Sequence, residues 1–345
     1  MESSKTDPIT PEKIMQIGMG FWASKILLTA VNMDLFTHLA NHKMSGNEIK
    51  EKLGLNERSL YDFLDTLVTL GFLDRTGLKE NAIYTNSVDA DVFLDKNKLS
   101  YIGGILEMSN NRLYPFWADL EEGLKTGKPQ NETKNGGRPI FEAIYADETK
   151  LREFLHAMGG VQMGNFMMLA NAFDFSNYNT LCDIGGSGGN LSIHIAKNNP
   201  HLTCKSFDLP PVTPVANENI NALGLSDRVS AISGDFFVDD FPKSDVITMG
   251  NILHDWGTKD KLMLITKAYN ALPKGGALIV IENIIDDDRR QNAFGLMMSL
   301  NMAIETEEGY DFSASDFNSL AKQVGFENTK MMPLTGPSSA VIAIK

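Results

Sequence analysis

Residues 180–190 have the sequence Thr180-Leu-Cys-Asp-Ile-Gly-Gly-Ser-Gly-Gly-Asn190. The run from Leu181 to Ile184 is short and mainly apolar, as in a buried strand, and a helical pattern, 191–197, follows the glycines at once. Glycine tolerates positive φ and lets a ligand approach the backbone, while a helix N-terminus offers free N–H groups. Strand, turn and helix together therefore predict a site for a nucleotide-type cofactor.

The spacing of these glycines excludes the dinucleotide fingerprint, which needs G-x-G-x-x-G. Counted from Gly186, that frame meets Leu191 where its third glycine should stand. The glycines instead follow Asp183 as D-x-G-x-x-x-G, and an acidic residue there favours a cationic ligand over a pyrophosphate. A second strand ends at Asp208, near the spacing at which an acid reaches a ribose diol. The alternative is a plain α/β turn.

Length and composition predict two domains and no nucleic-acid or membrane partner. The chain has 345 residues, 43% of them hydrophobic, and a formal net charge of −13. Domains of about 100–200 residues are usual, so two are expected. An acidic protein repels phosphate backbones and anionic lipid, which argues against both kinds of partner.

The N-terminus and the cysteines predict a cytoplasmic protein. No apolar run reaches the ~18 residues of a spanning helix, and Met1-Glu-Ser-Ser-Lys-Thr-Asp-Pro8 lacks the layout of a signal peptide. Cys182 and Cys204 both fall inside predicted strands, where buried free thiols are expected rather than a disulfide.

The first hundred residues predict a helical domain that contains a winged helix-turn-helix. A helix is expected to begin near Thr10-Pro11-Glu12, and its wide apolar face predicts either a dimer contact or a continuous core. Helices at 45–53 and 57–70 and a hairpin through Ile83 and Tyr84 form the winged pattern. Within 44–86, seven acidic residues outnumber five basic ones, so dimerisation or packing is favoured over DNA binding.

Residues 101–175 predict helices rich in aromatics and methionine, interrupted by a polar loop at 126–138. Such side chains at helical spacing form either a core or the wall of a pocket for a flat apolar substrate. The candidate wall residues are Met158, Met163, Asn301 and Met302.

From residue 176 onward strands and helices alternate, which predicts an α/β domain with a mainly parallel sheet. The expected strands are 180–184, 202–207, 229–232, 245–249 and 277–282, with helices near 190–198, 213–223 and 258–271 between them. Helices near 291–304 and 314–324 lead to strands 327–332 and 340–345, expected as an antiparallel hairpin at the sheet edge.

Polar residues stand at the carboxyl ends of these strands, where an open α/β sheet binds its ligands. After the third strand, Asp235 could accept a hydrogen bond from an adenine amino group while Phe236 covers the ring, or the Gly-Asp pair is a simple turn. After the fourth, His254 is placed to take a proton near neutral pH, or is structural. Glu282 ends the fifth, where its carboxylate could orient the imidazole or cap the next segment.

Metal chemistry is not expected. The chain has no HExxH, no paired CxxC and no spaced set of His and Asp residues.

Taken together, these motifs resemble the S-adenosylmethionine-dependent O-methyltransferases of the plant caffeate and hydroxyindole type, with their bacterial and animal relatives. The resemblance covers nearly the whole chain. Its motifs are Asp183-Ile-Gly-Gly-Ser-Gly-Gly189, Phe207-Asp-Leu-Pro210, Gly234-Asp-Phe-Phe237, Leu253-His-Asp-Trp256 and Pro273-Lys-Gly-Gly276.

The resemblance implies a class I methyltransferase fold: a Rossmann-like, doubly wound sheet with an antiparallel C-terminal hairpin. It also implies three segments. Residues 1–100 would be a winged-helix dimerisation domain, 101–175 a helical linker and substrate-pocket region, and 176–345 the S-adenosylmethionine-binding domain.

The resemblance further implies a role for each site residue. The cofactor would be S-adenosylmethionine, with S-adenosylhomocysteine as its product and no metal. His254 would be the general base, and Glu282 and Asp311 would be its two flanking carboxylates. The implied cofactor-binding residues are Asp183, Gly185, Gly186, Asp208, Leu209, Gly234, Asp235, Phe236, Gly250 and Trp256.

Three positions depart from the family pattern. Ser187 replaces the middle glycine of the loop, and Gly250 stands where a lysine or arginine often contacts the cofactor. Where the family has Gly-x-Glu-Arg-Thr, this chain has Glu308-Gly-Tyr-Asp-Phe-Ser313. Asp311 therefore takes the place of the second glutamate, and Glu307 or Glu308 could substitute for it.

The predicted function is methyl transfer to a hydroxyl group of a small aromatic or polyketide-like acceptor, by a homodimer joined through its N-terminal domains. One alternative is a family relative that methylates nitrogen or carbon, or that performs another reaction. A second is a winged-helix DNA-binding regulator.

Overall fold

The computed structural model describes residues 9–98 and 100–345. They form two compact units, one up to Tyr114 and the other from Pro115 to Lys345. The absence of a signal-peptide layout was predicted from residues 1–8, which lie outside the described residues.

The first unit combines helices with a small antiparallel sheet. Its helices are α1 (Glu12–Gly18), α2 (Gly20–Asn32), α3 (Leu35–Leu39), α4 (Gly46–Leu53), α5 (Leu60–Thr69), α6 (Val88–Phe93) and α7 (Gly103–Met108), followed by a π-helical turn, Ser109–Leu113. Its strands are β1 (Met44–Ser45), β2 (Leu73–Thr76) and β3 (Ile83–Asn86), in the order β1-β3-β2. Helices α4 and α5 followed by the β2–β3 hairpin form the predicted winged-helix pattern.

Local sequence explains most of the helix boundaries in this unit. Ser45 and Glu48 form a reciprocal capping box at the start of α4, and Gly54 ends that helix in the left-handed conformation. The first helix begins at Glu12, within the predicted stretch, but without the expected cap from Thr10. Pro11, rather than Thr10, is the residue before α1, and no side chain caps that helix.

Helices α1 and α2 expose a large apolar surface in the single chain. Ile14, Ile17, Phe21 and Trp22 are each at least half exposed. By length and composition alone, Glu12–Asn32 is long and apolar enough to cross a membrane, and 17% of its apolar window is buried. This corrects the expectation that no apolar run is long enough to span a membrane. The few charged residues in Glu12–Asn32 interrupt the apolar run but do not make its mean hydropathy low. One such helix is weak support for a membrane span.

The second unit is an α/β domain. Its helices are α8 (Tyr114–Trp117), α9 (Leu120–Thr126), α10 (Ile140–Tyr145), α11 (Glu148–Ala172), α12 (Asn190–Asn198), α13 (Thr213–Ala222), α14 (Thr258–Ala271), α15 (Ala293–Glu305) and α16 (Ala314–Val324), with 3₁₀ turns at Glu132–Asn135 and Leu253–Asp255. Its strands are β4 (Thr180–Ile184), β5 (Thr203–Asp208), β6 (Val229–Ser233), β7 (Val246–Gly250), β8 (Ala277–Glu282), β9 (Asn328–Pro333) and β10 (Ser339–Ile344).

These strands form one sheet in the order β6-β5-β4-β7-β8-β10-β9. The strands from β4 to β8 are parallel to one another. Strand β10 runs antiparallel to both β8 and β9. The predicted C-terminal hairpin is therefore present. The strand order reverses between β4 and β7, and such a switch point opens a crevice at the carboxyl ends of the two strands.

Two apolar layers cover the faces of the sheet. One layer packs α14 and α16 against it through residues such as Leu264, Ile265 and Phe317, and the other packs α11 and α12 through Leu169 and Ile195. Every residue of β8 is buried, which is typical of a parallel strand covered on both faces. Because Glu282 ends that strand, its carboxylate lies at the edge where β8 leaves the core.

Candidate active site

The loop after β4 passes close to its neighbours. Gly185 and Gly186 donate their N–H groups to Phe207 O at 2.9 and 3.2 Å. Gly185 has a positive φ of 68°, and a Cβ there would overlap Ile252. A Cβ at Gly186 would overlap Ser206 Oγ. Neighbouring side chains therefore leave no room for a Cβ at either glycine.

Ser187 and Asp208 join this loop to the end of β5. Asp208 accepts hydrogen bonds from Ser187 N at 2.8 Å and Leu209 N at 2.7 Å. Burial raises the pKa of Asp208 to about 6, although both hydrogen bonds oppose that shift. Ser187 has the left-handed conformation that glycine would adopt more readily, with φ 52°, and its buried Oγ has no hydrogen-bond partner within 9–98 and 100–345.

Asp183 lies deeper in the sheet than the glycines that follow it. It is 4% exposed, and its Oδ1 accepts a hydrogen bond from Thr248 Oγ1 of the neighbouring strand β7 at 2.7 Å. Burial raises the pKa of Asp183 to about 7, and the hydrogen bond from Thr248 acts in the opposite direction. This carboxylate therefore fastens β4 to β7 at the switch point.

An aromatic cluster follows the ends of β6 and β7. The rings of Phe236 and Phe237 lie 5.9 and 4.6 Å from the ring of Trp256 and meet it edge to face. The buried Nε1 of Trp256 has no hydrogen-bond partner among the residues the structure describes. Asp235 accepts from Phe237 N at 2.8 Å, which fixes the turn after Gly234.

Gly250, the last residue of β7, has room for a side chain. A Cβ there would meet only the ring of Phe166, at an ordinary 3.8 Å. The next residue, Asn251, has a positive φ of 54°, and its Oδ1 accepts from Gln162 of α11 at 2.9 Å. Asn165 in turn donates to Gln162 at 2.9 Å. Helix α11 thus supports the loop that leads to His254.

His254 is held between carboxylates at the centre of the site. Glu282 Oε2 lies 3.1 Å from its Nδ1, and Glu282 Oε1 accepts its backbone N–H at 3.3 Å. Asp311 Oδ1 lies 3.6 Å from the same Nδ1, while Asp255 Oδ1 lies 3.4 Å from Nε2. All but Asp255 are at most 5% exposed, so the structure brings together three predicted residues in one buried cluster.

These charges decide the protonation of the cluster. Burial lowers the pKa of His254, but Glu282, Asp255 and Asp311 raise it by more, so its pKa stands well above the usual value. Burial raises the pKa of Asp311 against the opposing effect of His254. Burial likewise raises the pKa of Asp255 to about 7.

The two glutamates considered as substitutes for Asp311 lie elsewhere in the second unit. Glu307 is exposed, and Glu308 lies against Gly257, where a Cβ would overlap its carboxylate. Single atoms of His254, Glu282 and Asp311 also lie within 4.8 Å of one another, a spacing at which such groups can hold a metal ion.

The four candidate wall residues lie on two helices. Met158 and Met163 are half-buried on α11, and Met302 is 7% exposed on α15. Asn301, also on α15, accepts a hydrogen bond from Trp117 Nε1 at 2.8 Å. Helix α15 packs against the 3₁₀ turn that carries His254, so Asn301 and Met302 belong to a helix beside that imidazole.

Sequence reasoning missed several supporting residues. Thr248 and Gln162 act on Asp183 and Asn251, which are far from them in the chain, so no local pattern indicates these contacts. Lys261 is different. It stands one helical turn before Leu264 and Ile265, on the buried face of α14, and a lysine in an apolar stripe is a signal that can be found in the sequence.

Fold and site together define a nucleoside-cofactor-dependent transferase with a histidine at its centre. Comparison with known proteins gives the family. Residues 117–327 match the O-methyltransferase domain model, and residues 15–96 match the O-methyltransferase dimerisation domain model. The chain belongs to the O-methyltransferase family.

The most similar proteins cover nearly the whole chain. The tetracenomycin polyketide synthesis 8-O-methyl transferase TcmO of Streptomyces glaucescens is 38% identical over 335 residues, 97% of each chain. The N,N-dimethyltransferase OxyT of Streptomyces rimosus is 29% identical over 325 residues, 93% of each chain. Human N-acetylserotonin methyltransferase, solved with S-adenosylmethionine, has a TM-score of 0.90 and 25% identity, covering 100% of this chain and 99% of that one.

These matches confirm several predictions made from the sequence. The resemblance, the class I methyltransferase fold, the enzyme class and the cofactor S-adenosylmethionine are confirmed. The roles of individual residues stay predictions, and the next subsection takes them up.

Replacing Asp183 by Asn should stabilise the protein at pH 8. The folded pKa of Asp183, about 7, lies above the unfolded value, so the unfolded chain ionises first and this group disfavours folding as pH rises between those values. Asparagine keeps an acceptor for Thr248 without the charge. We expect the urea midpoint of Asp183→Asn to exceed that of the wild type at pH 8 by the equivalent of roughly 4 kcal/mol, and the gain to vanish near pH 4.

Asp286 supplies the opposite control. It is half-buried, and three backbone N–H groups lower its pKa to about 2, so Asp286→Asn should destabilise the protein at pH 8. A gain in Asp183→Asn that persists unchanged at pH 4 would contradict the electrostatic account.

Proposed function

We propose that this enzyme transfers a methyl group to a hydroxyl of a small aromatic or polyketide-like acceptor, with His254 as the general base. One observation supports this most strongly: a buried histidine at the carboxyl edge of the sheet has its Nδ1 3.1 Å from Glu282. The relative TcmO, at 38% identity, is named for 8-O-methyl transfer in polyketide synthesis. An acceptor of that chemical class is therefore the natural first choice.

The cleft residues fit the cofactor. The buried Oγ atoms of Ser187 and Ser206 and the Nε1 of Trp256 have no hydrogen-bond partners in the described chain, so they are free to bind a polar ligand. In the proposal Asp208 accepts the ribose hydroxyls, and the backbone of Gly185 and Gly186 lies against the methionine part. The remaining cofactor contacts are assigned to Asp183, Leu209, Gly234, Asp235, Phe236, Gly250 and Trp256.

When bound, S-adenosylmethionine supplies a methyl group that its sulfonium already activates. The chain's own residues then have two tasks, which are alignment of the acceptor and exclusion of water. In the proposal Met158, Met163, Asn301 and Met302 line the acceptor, and the hydrogen bond from Trp117 fixes the amide of Asn301. A fixed amide can accept or donate one hydrogen bond to a polar substituent of the acceptor.

His254 takes the proton from the acceptor hydroxyl at Nε2. Glu282 and Asp311 face Nδ1 and stabilise the imidazolium that forms, and Asp255 lies 3.4 Å from Nε2, where it can share the proton. A base so placed contributes roughly 10²–10⁴-fold to the rate. These carboxylates raise the pKa of His254, so a higher pH is needed to remove its proton. The fraction of unprotonated imidazole, which is the form that acts as base, should therefore increase as the pH rises.

Partners and location complete the proposal. Residues 1–100 dimerise, 101–175 provide the linker and acceptor-pocket helices, and 176–345 bind the cofactor. The dimerisation-domain match over 15–96 and the exposed apolar surface of α1 and α2 support a homodimer. Nucleic acid and membrane are not expected as partners, and a cytoplasmic location stays a prediction.

Transfer to nitrogen is a second candidate function. The relative OxyT, at 29% identity over 93% of each chain, is named an N,N-dimethyltransferase. An amine acceptor that binds unprotonated needs no base, so the two functions differ in their dependence on His254. NMR spectra of the methylated product distinguish O-methyl from N-methyl directly.

If Asp208 binds the ribose, the affinity for S-adenosylhomocysteine should decrease as the pH is lowered. Ribose hydroxyls donate to the ionised carboxylate, whose pKa is about 6 in the free protein, so binding should be weaker at pH 5 than at pH 8. We expect Asp208→Asn to lose roughly tenfold or more in affinity at pH 8, because a hydrogen bond to a charged group is worth about 1.5–3 kcal/mol. Titration calorimetry measures both effects.

Asp245 provides a matched control, since it too accepts two backbone N–H groups, from Asn179 and Thr180 at the other end of β4. Asp245→Asn should keep wild-type affinity. Equal loss in both variants would show that Asp208 acts only by holding the fold.

Replacing His254 by Asn should lower methyl transfer by roughly 10²–10⁴-fold while the affinity for S-adenosylhomocysteine stays unchanged. The assay follows transfer from radiolabelled cofactor to a panel of polycyclic phenols. His201→Asn is the control, because that imidazole contacts Phe175 O at the amino end of β5. An undiminished rate in His254→Asn would remove the base, and a rate abolished by EDTA would point to a metal at the same residues.

A charged residue on the exposed apolar face of the N-terminal helices should separate the subunits. Trp22 is 58% exposed in the single chain. We expect Trp22→Asp to shift the mass measured by light scattering from dimer to monomer. Leu78→Asp, at an exposed apolar position between β2 and β3, should leave the dimer intact. A dimer that survives Trp22→Asp would place the interface elsewhere.

A further inference from the structure

We propose that Lys261 is a positioning residue for the base: its ammonium fastens the loop that carries His254 to the segment that carries Asp311, and its charge offsets the carboxylates around the imidazole. This inference rests on the proposed function, in which His254 removes a proton. It concerns a residue that neither the glycine loop nor the His254 motif includes.

The first observation is the burial of Lys261. Its relative exposure is 0%, and it lies on α14 in line with Leu264 and Ile265, which pack against the sheet. Lysine is almost never fully buried unless its charge is paired, because removing an ammonium from water costs several kcal/mol. The fold must therefore supply partners for it.

The partners are the two segments that form the base site. Lys261 Nζ donates to Trp256 O at 2.6 Å and to Tyr310 O at 2.9 Å. Trp256 lies two residues after His254, and Tyr310 immediately precedes Asp311. The ammonium also lies 3.3 Å from the centroid of the Tyr310 ring, a cation–π contact that is strengthened by burial. One side chain thus holds both segments in place.

The second observation is the balance of charge around His254. Titratable groups reach this site from several elements. They are Glu282 on β8, Asp255 in the loop after β7, Asp311 before α16, Glu305 on α15, Tyr145 on α10 and Lys261 on α14. Carboxylates outnumber cations in this set, and Lys261 interacts electrostatically with Glu282, Asp311 and Asp255.

The effect of Lys261 on the base follows from this balance. The catalytically competent cluster has an unprotonated imidazole and ionised carboxylates, so it is the most negative form. A cation buried beside it stabilises that form relative to every protonated one. Burial lowers the pKa of Lys261 to about 8 against the opposing carboxylates, so the ammonium still carries its charge near neutral pH. Removing that charge should make each proton in the cluster harder to lose.

The test measures the protonation of His254 directly. Histidine labelled with ¹³C at Cε1 is followed by NMR against pH in the full-length enzyme, and the signal of His254 is assigned by its loss in His254→Asn. In Lys261→Gln we expect the pKa of His254 to rise by about one unit or more. The acidic limb of the kcat/KM profile should move to higher pH by the same amount, which lowers the rate about tenfold at a fixed pH below the limb.

Lys345 is a matched control. Its Nζ also donates to two backbone carbonyls, those of Tyr269 and Leu272 at 2.6 and 2.7 Å, and lies 4.3 Å from the Tyr269 ring. It follows β10 at the end opposite Ser339, whose register partner is Glu282, so it is about a strand length from the base. Lys345→Gln should leave the His254 titration at its wild-type position. Lys261→Arg, which keeps the charge, should titrate near the wild type.

Two outcomes separate this inference from the proposed function. A His254 titration that is the same in Lys261→Gln and in the wild type would overturn the role of Lys261, whatever the activity. A titration that shifts while the acidic limb of kcat/KM does not follow would uphold the electrostatic link and overturn His254 as the base. If Lys261→Gln fails to fold, Lys261→Met takes its place, and the melting temperatures of Lys261→Arg and Lys345→Gln show whether charge or packing was lost. If Lys261→Met folds and the pKa of its His254 is unshifted, the proposal is overturned.

Discussion

The contact between Glu282 and His254 sets the geometry of the catalytic domain. A buried carboxylate is tolerated only where donors or a cation reach it, and Glu282 has both the backbone N–H and the imidazole of His254. The pairing of Gly250 with Ile281 places the end of β7 beside the end of β8, so the loop that carries His254 begins next to Glu282. Since β7 also pairs with β4, the same register brings His254 to the edge at which the glycine loop opens. The positions of His254 and of the glycine loop are therefore two results of one strand alignment.

Most of the α/β domain could be predicted because its signals are local. The strand Ala277–Glu282 was predicted with its observed bounds, since a short apolar run between a Pro-Lys-Gly-Gly turn and a polar residue leaves few alternatives. The five parallel strands, their helices and the terminal hairpin all lie within two residues of their expected positions. The first residue of α1 could not be predicted, because Thr10 and Pro11 both suit a helix start and nothing local decides between them.

The site was predictable in part, for a physical reason. His254, Glu282, Asp311 and the glycine loop stand in motifs or at strand ends, so their positions along the chain indicate where the topology will bring them. The contacts that support them join distant segments, such as Gln162 with Asn251 and Thr248 with Asp183. A hydrogen bond between residues 65 or 89 positions apart depends on packing angles that no periodicity records. Lys261 shares the buried face of α14, a position that is rare for lysine because burying its charge is costly.

The position of β10 has a consequence for how the protein is made. The last strand in the chain lies between β8 and β9, both of which are synthesised earlier, and Ser339 pairs with Glu282 itself. A chain emerging from the ribosome therefore completes five parallel strands and still has an unpaired edge along β8, the strand that ends at Glu282. Exposed strand edges recruit other chains, so this interval is when the nascent protein is most open to aggregation and most in need of a chaperone. Pairing of β10 with β8 therefore waits until residues 339–344 have been synthesised.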